Sequence, residues 1–218
     1  MFHVQLLLVQ WPSVFNGVDY HIGFAKNAVE AGFDGVEIHS SNGYLFHQFF
    51  NGTSNHRTDD YGGNIKNRVR FFFEIIDALC EVWDENRIGV RLNPSLHDDF
   101  GIIATPETIP TFDHIIHKLN AYDLAYLHLT EPPAKVREID FLEPEIAKHY
   151  RPMYNGTLMI NGSFDQEKGN SIIEEGLADL VQLRVLRVGG RDVLPVGAGA
   201  YRLPTVDLAL LDRSVQGH

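Results

Sequence analysis

Apolar and polar positions alternate between two periods along most of this chain. Short apolar runs at Gly35–His39 (GVEIH), Ile88–Leu92 (IGVRL), Ala125–Leu129 (AYLHL) and Thr157–Asn161 (TLMIN) read as strands. Segments with a 3.6-residue period lie between them. Asn67–Trp83 sets Val69, Phe72, Phe73, Ile76, Leu79 and Cys80 near one stripe, which predicts an amphipathic helix. Phe24–Ala31 reads as the end of a helix that Gly32 stops. Pro106–Asn120 is predicted helical, with Thr105 as N-cap, Glu107 in the first turn, and Pro110 in that turn or kinking it. Phe141–His149 predicts a short helix, Gln166–Glu175 another that Gly176 caps, and Ala178–Val181 the start of a further strand.

Strand and helix repeating in this order predict parallel strands joined by right-handed crossovers. Polar residues gather just after the strands, at His39–Tyr44, Arg91–Pro94, Glu131 and Gly162. A (β/α)8 barrel keeps its chemistry on that one rim. A doubly wound sheet also puts loops there, so periodicity leaves both open, with the barrel preferred. The pattern then changes: residues 183–218 contain no Lys, Glu, Asn, Ile or Phe, although the chain has 14 Phe. Arg, Val, Gly, Leu and Ala replace them without a sustained period. Three segments follow: 1–18 with no clear pattern, 19–182 with repeating β and α units, and a divergent tail over 183–218.

Composition narrows the function classes. The 218 residues are 44% hydrophobic and 22% charged, ordinary values for a globular chain. A net charge of −11 argues against nucleic acid and anionic membrane as partners. Cys80 stands alone, which excludes an internal disulfide and a Cys-ligated cluster; its apolar helical setting reads as buried and inert. No apolar run approaches the roughly 20 residues of a membrane span. The N-terminal MFHVQLLLVQWPSVF lacks a basic region and a small-residue cleavage site, so it does not read as a signal peptide. Cytoplasm is the expected location.

The chemistry concentrates in Gly35–Tyr44 (GVEIHSSNGY). His39 and Asn42 can both donate hydrogen bonds to one carbonyl oxygen, and Tyr44 can deliver a proton nearby. That set suits reduction of a C=C bond conjugated to a carbonyl. Hydride attack on the β-carbon drives negative charge onto the oxygen, and losing one donor aimed there typically costs about 2.7–4 kcal/mol. A phenol with a pKa near ~10 keeps its proton at neutral pH. Other candidates carry less. His47, His56, His97, His114, His117 and His128 form no matched metal set and are expected to be solvated, so no metal site is predicted. Glu131 follows a strand but lacks the second carboxylate of a glycosidase.

The ordered set AGFDGVEIHSSNGYLFHQFF, SNHRTDDYGGNIKNRVRFFFEIIDAL, RIGVRLNPS, AYLHLTEP and LMINGSFD resembles the Old Yellow Enzyme family over about Asp19–Val181. That resemblance implies an FMN-dependent ene-reductase on a (β/α)8 TIM barrel, here an incomplete barrel of about four to five βα units. It implies His39 and Asn42 as the pair binding the substrate's carbonyl or nitro oxygen, and Tyr44 as proton donor to the α-carbon. It implies Arg91 beside the flavin N1 and C2 carbonyl, where a guanidinium favours the reduced, negative ring. It implies Gly162 and Ser163 as the main-chain holders of the FMN phosphate, with Ser163 standing where the family commonly has glycine or asparagine. NAD(P)H would be the reductant and a small activated alkene the substrate. Arg57–Gly63 (RTDDYGG) reads as scaffolding for the loop after the catalytic strand.

Two departures from the family pattern shape further expectations. Three early βα units of the family have no counterpart, so an open sheet with two edges is expected, prone to self-association and weak in flavin binding. After Val181 the family continues with Ala or Ser and then Phe-Gly, where Gln182, Leu183 and Arg184 stand here. A one-base slip accounts for this, because CTTCGGG reads as Leu-Arg in one frame and Phe-Gly in the next; a disordered linker is the other reading of the tail. Two alternatives to an active enzyme remain: a truncated, catalytically impaired fragment, and a half-barrel that pairs with a partner chain.

Overall fold

The apolar runs become neighbouring strands of one parallel sheet. The computed structural model describes residues 2–4, 14–182, 186–188 and 191–193, with side chains described over 17–182. In chain order the sheet contains β1 (Phe2–Val4), β2 (Val36–His39), β3 (Ile88–Leu92), β4 (Tyr126–Thr130), β5 (Leu158–Asn161) and β6 (Leu180–Val181). Their spatial order is β1-β2-β3-β4-β5-β6, every pair parallel. A doubly wound sheet reverses direction at a switch point, whereas strands laid down consecutively one way are the barrel arrangement. The preference for a barrel is borne out in this order. β1 was not foreseen; it pairs Phe2, His3 and Val4 with Val36, Glu37 and Ile38.

The register gives the sheet two different faces. Val36, Ile38, Ile88, Val90, Leu92, Leu127, Leu129, Leu158 and Ile160 join the apolar core beneath the helices. Between them Glu37, His39, Arg91, Tyr126, His128 and Asn161 alternate onto the other face, as the period of two requires. Helices α1 (Val14–Glu30), α4 (Arg70–Cys80) and α5 (Thr108–Leu119) cover the apolar face.

Several helices differ from expectation at their ends. The helix over 67–83 is two: α3 (Ile65–Arg68), capped by the Asn64 side chain, and α4, separated at Val69 (φ −93°, ψ −8°). It stops at Cys80 because Val82 and Trp83 both donate to Leu79 O. Around α4, Phe71 and Ile75 are buried with Phe72, Phe73, Ile76 and Leu79, a wider apolar surface than one stripe. Before α5, Thr105 Oγ1 accepts from Glu107 N–H and Thr108 Oγ1 accepts from Thr105 N–H, but the helix starts at Thr108 rather than Pro106 and its N-cap is Glu107, not Thr105. Pro110 lies in the first turn of α5, where its missing N–H is not needed. The helix expected over 141–149 is only α6 (Ile146–Tyr150). Pro144 holds the preceding residue away from the helical region, and α6 starts where the Glu131 carboxylate receives Ile146 N–H and Ala147 N–H at 3.0 and 2.9 Å. α7 (Gln166–Glu174) ends as foreseen at Gly176, whose φ is 68°.

In the tail, β7 (Leu186–Val188) and β8 (Arg191–Val193) form an antiparallel pair, where no strand period was recognised. The rest of the divergent tail and residues 5–13 lie outside the described residues. Among the described residues no helix is long and apolar enough to cross a membrane.

Candidate active site

β2 ends in a turn that brings three predicted side chains together. Ser40 N–H donates to Arg91 O at 2.9 Å beyond the end of β2. Asn42 (φ 52°) and Gly43 (φ 73°) then reverse the chain, and Tyr44 N–H closes the turn on Ser41 O at 3.1 Å. Helix α2 (Leu45–Phe50) begins directly after Tyr44, its N-cap. Gly43 is required: a Cβ there would lie 2.4 Å from Phe100 O, besides the left-handed φ. His39 is buried, Asn42 and Tyr44 are half-buried, and the rings of His39 and Tyr44 lie 4.8 Å apart between centroids. Ser41 Oγ stands 3.4 Å from His39 Nδ1, and Asn42 Oδ1 accepts from Asn93 Nδ2 at 3.1 Å.

Arg91 joins this group through the sheet register. It pairs with His39 across β2 and β3 and shares its face. Burial holds its guanidinium below the ordinary value, opposed by the Glu37 carboxylate and Tyr126. One layer down, Glu37 Oε2 accepts from Tyr126 Oη at 3.0 Å and lies 3.1 Å from His128 Nδ1. Burial first, then the carboxylate, pushes the Tyr126 phenol far above its usual range. Gly89 makes this contact possible, because a Cβ there would sit 2.5 Å from the Tyr126 ring.

His47 lies under the turn and accepts from Gly43 N–H at 3.4 Å. It is 1% exposed, and burial, aided by His39, lowers its pKa to about 3. His47 and His128 therefore correct the expectation of solvated histidines: both are packed inside. Cys80 is half-buried rather than buried; burial, with Glu85 and Asp77 nearby, pushes its thiol up to about 11. Glu131 serves as the cap of α6, and burial raises its pKa against the two backbone donors.

The proposed phosphate residues sit apart from this group. Gly162 (φ 113°) and Ser163 (φ 58°) follow β5, and a Cβ on Gly162 would lie 2.7 Å from Glu131 O. A cavity of about 250 Å³ opens beside them, lined also by Phe164, Arg137, Lys148 and Lys168. It includes neither His39 nor Arg91. Two strands stand between β2 and β5, a rim separation of roughly 14 Å at ordinary strand spacing. Both groups lie at the C-terminal ends of their strands, on the same rim.

The segment 57–63 is structural scaffolding. Arg57 pairs with Asp59, Tyr61 Oη donates to Glu74 at 3.1 Å, and Asn55 Nδ2 donates to Phe49 O and Tyr61 O, both at 2.8 Å. Buried Arg68 donates to Gly63 O in the loop and ties it to α2 through Phe50 O and to α5 through Glu107 and Thr111. Sequence reasoning missed Glu37, His47, Tyr126, His128 and Asn93. The alternation in VEIH and YLH carried a signal for three of them, since it sets Glu37 with His39 and Tyr126 with His128 on the polar face.

Comparison with known proteins identifies the family of the chain. The NADH:flavin oxidoreductase / NADH oxidase family matches residues 12–186. 12-oxophytodienoate reductase 1 of Oryza sativa subsp. japonica is 39% identical over 158 residues, covering 72% of this chain and 41% of the relative. The solved structure of morphinone reductase with tetrahydroNAD superposes with a TM-score of 0.68 at 32% identity, over 79% of this chain and 45% of the other. The old yellow enzyme of Trypanosoma cruzi gives 0.69 at 32% identity, over 77% and 44%. The chain thus spans less than half the length of each of these three relatives.

Proposed function

Because the chain belongs to the NADH:flavin oxidoreductase / NADH oxidase family, we propose that it forms the substrate-polarising and protonating side of an FMN-dependent ene-reductase. The observation that carries this reading is the single turn holding His39, Asn42 and Tyr44 beside Arg91. His39 and Asn42 donate to the carbonyl or nitro oxygen of an activated alkene and stabilise the charge that develops there. Tyr44 protonates the α-carbon; positioned acids contribute typically about 10²–10⁴-fold.

The residues present fit a flavin. Arg91 offers a fixed positive charge on the inner face at the register of His39, suited to the N1 and C2 carbonyl edge. Gly162 and Ser163 offer a left-handed turn suited to a phosphate held by main-chain amides, beside a cavity lined by Arg137, Lys148 and Lys168 together with the Glu131 and Glu145 carboxylates. Bound flavin would supply the hydride, replenished by NADH or NADPH; the relative solved with tetrahydroNAD supports a nicotinamide reductant. The same reading places the protein in the cytoplasm, acting on a small molecule, with self-association through sheet edges.

The test is NAD(P)H-dependent reduction of 2-cyclohexenone by the FMN-loaded protein. Tyr44→Phe is expected to slow alkene reduction by about 10²–10⁴-fold while flavin reduction by NAD(P)H keeps its rate. Unchanged alkene reduction in both Tyr44→Phe and His39→Ala would overturn the assignment. A folded chain that takes up no FMN would favour the alternative, a fragment without independent activity.

A further inference from the structure

We propose that Asn93 is a positioning residue that sets which end of the Asn42 carboxamide faces the substrate. The inference rests on the reading of the β2 terminus as the carbonyl-binding site. A carboxamide has a donor end and an acceptor end of nearly equal size, and a half-turn about its last torsion exchanges them. An oxygen gaining negative charge needs the donor end; the acceptor end would repel it. The left-handed backbone of Asn42 (φ 52°) fixes where the side chain starts and leaves that last torsion undecided.

Asn93 decides it. Its Nδ2 donates to Asn42 Oδ1 at 3.1 Å, a contact across 51 residues of chain. With Oδ1 engaged by Asn93, the Asn42 NH2 group is the end turned to other partners. Asn93 is itself held: it is 7% exposed and follows Leu92, which is fully buried at the end of β3. Pro94 comes next and restricts Asn93 to extended backbone. The loop that Asn93 opens then returns to the same turn, where Phe100 O fills the space a Gly43 Cβ would need. Ser95 Oγ anchors that loop by donating to Glu143 O at 2.8 Å. The turn and its orienting side chain therefore form one packed unit.

An isosteric swap makes the role testable. Asn93→Asp replaces the donor with an ionised acceptor of the same shape, so Asn42 turns its NH2 toward position 93 and presents its oxygen to the substrate. Binding of 2-cyclohexenone to the oxidised, flavin-loaded protein reads this without turnover, alongside the ¹⁵N side-chain amide signals of Asn42. At pH 8, N93D is expected to raise Kd at least tenfold. The loss should shrink as the pH falls and the carboxyl regains a proton to donate, a recovery that general structural damage would not produce. In an Asn42→Ala background, N93D should add nothing further. Equal losses from N93D with and without Asn42 would overturn the positioning role alone. Asn42→Ala without effect on Kd would overturn the site reading as well. Should N93D fold poorly, Asn93→Val removes the donor without adding an acceptor and carries the same comparison, with the same two overturning results.

Discussion

His47 shows what one buried side chain contributes beneath the turn that follows β2. It is held neutral, its pKa lowered from 6.5 to about 3 by burial and by His39 nearby, while its Nδ1 accepts from Gly43 N–H. Between those two values the unfolded chain binds a proton that the folded chain does not. Stability from this residue is therefore complete above pH 6.5 and is lost as the pH falls towards 3. The expected slope is up to about 1.4 kcal/mol per pH unit in that window. Urea denaturation from pH 4 to 7 checks it: His47→Gln should flatten the profile relative to the parent, and parallel profiles would refute it. At this scale the sequence offered His39, Asn42 and Tyr44 as candidates, because they are neighbours along the chain. It concealed His47, whose neutrality depends on the core around it, and Asn93, whose partner stands 51 residues away.

Among the elements, β3 is where a single atom separates two arrangements. Gly89 leaves room for the Tyr126 ring to cross from β4 and reach Glu37 on β2. Gly89→Ala would place a Cβ 2.5 Å from that ring, which the Glu37 hydrogen bond and burial both pin. Overpacking of this kind costs typically about 1–3 kcal/mol. The urea midpoint should fall with an unchanged slope, and an unaltered midpoint would show that the ring moves freely. The sequence announced the type of most elements here, and strand β3 came out with its expected bounds. The ends of α4 and α6 did not. Leu79 O accepting two donors and Glu131 capping α6 from another loop are contacts that no local period encodes.

Among the described residues of the whole molecule, burial separates the middle of the sheet from α7. Val90, Leu92, Leu127 and Leu129 on β3 and β4 are fully buried, whereas α7 buries only Gly169. Hydrogen exchange should therefore show opening free energies in β3 and β4 at least about 3 kcal/mol above those in α7. Equal protection in both would contradict this ranking.

The amino-acid order determined by itself that strands and helices alternate, that polar residues gather after strand ends, and that His39, Asn42 and Tyr44 share one short segment. Those properties are local: a period of two or 3.6 residues and a Gly-containing turn act over a few positions. Tertiary structure alone decided that β1 pairs with β2, that Arg91 stands level with His39, and that Asn93 meets Asn42. It also decided that Glu37 is shared by Tyr126 and His128 across an intervening strand. Each of these depends on strand register, which is settled by burial of a whole apolar face against helices distant in the chain.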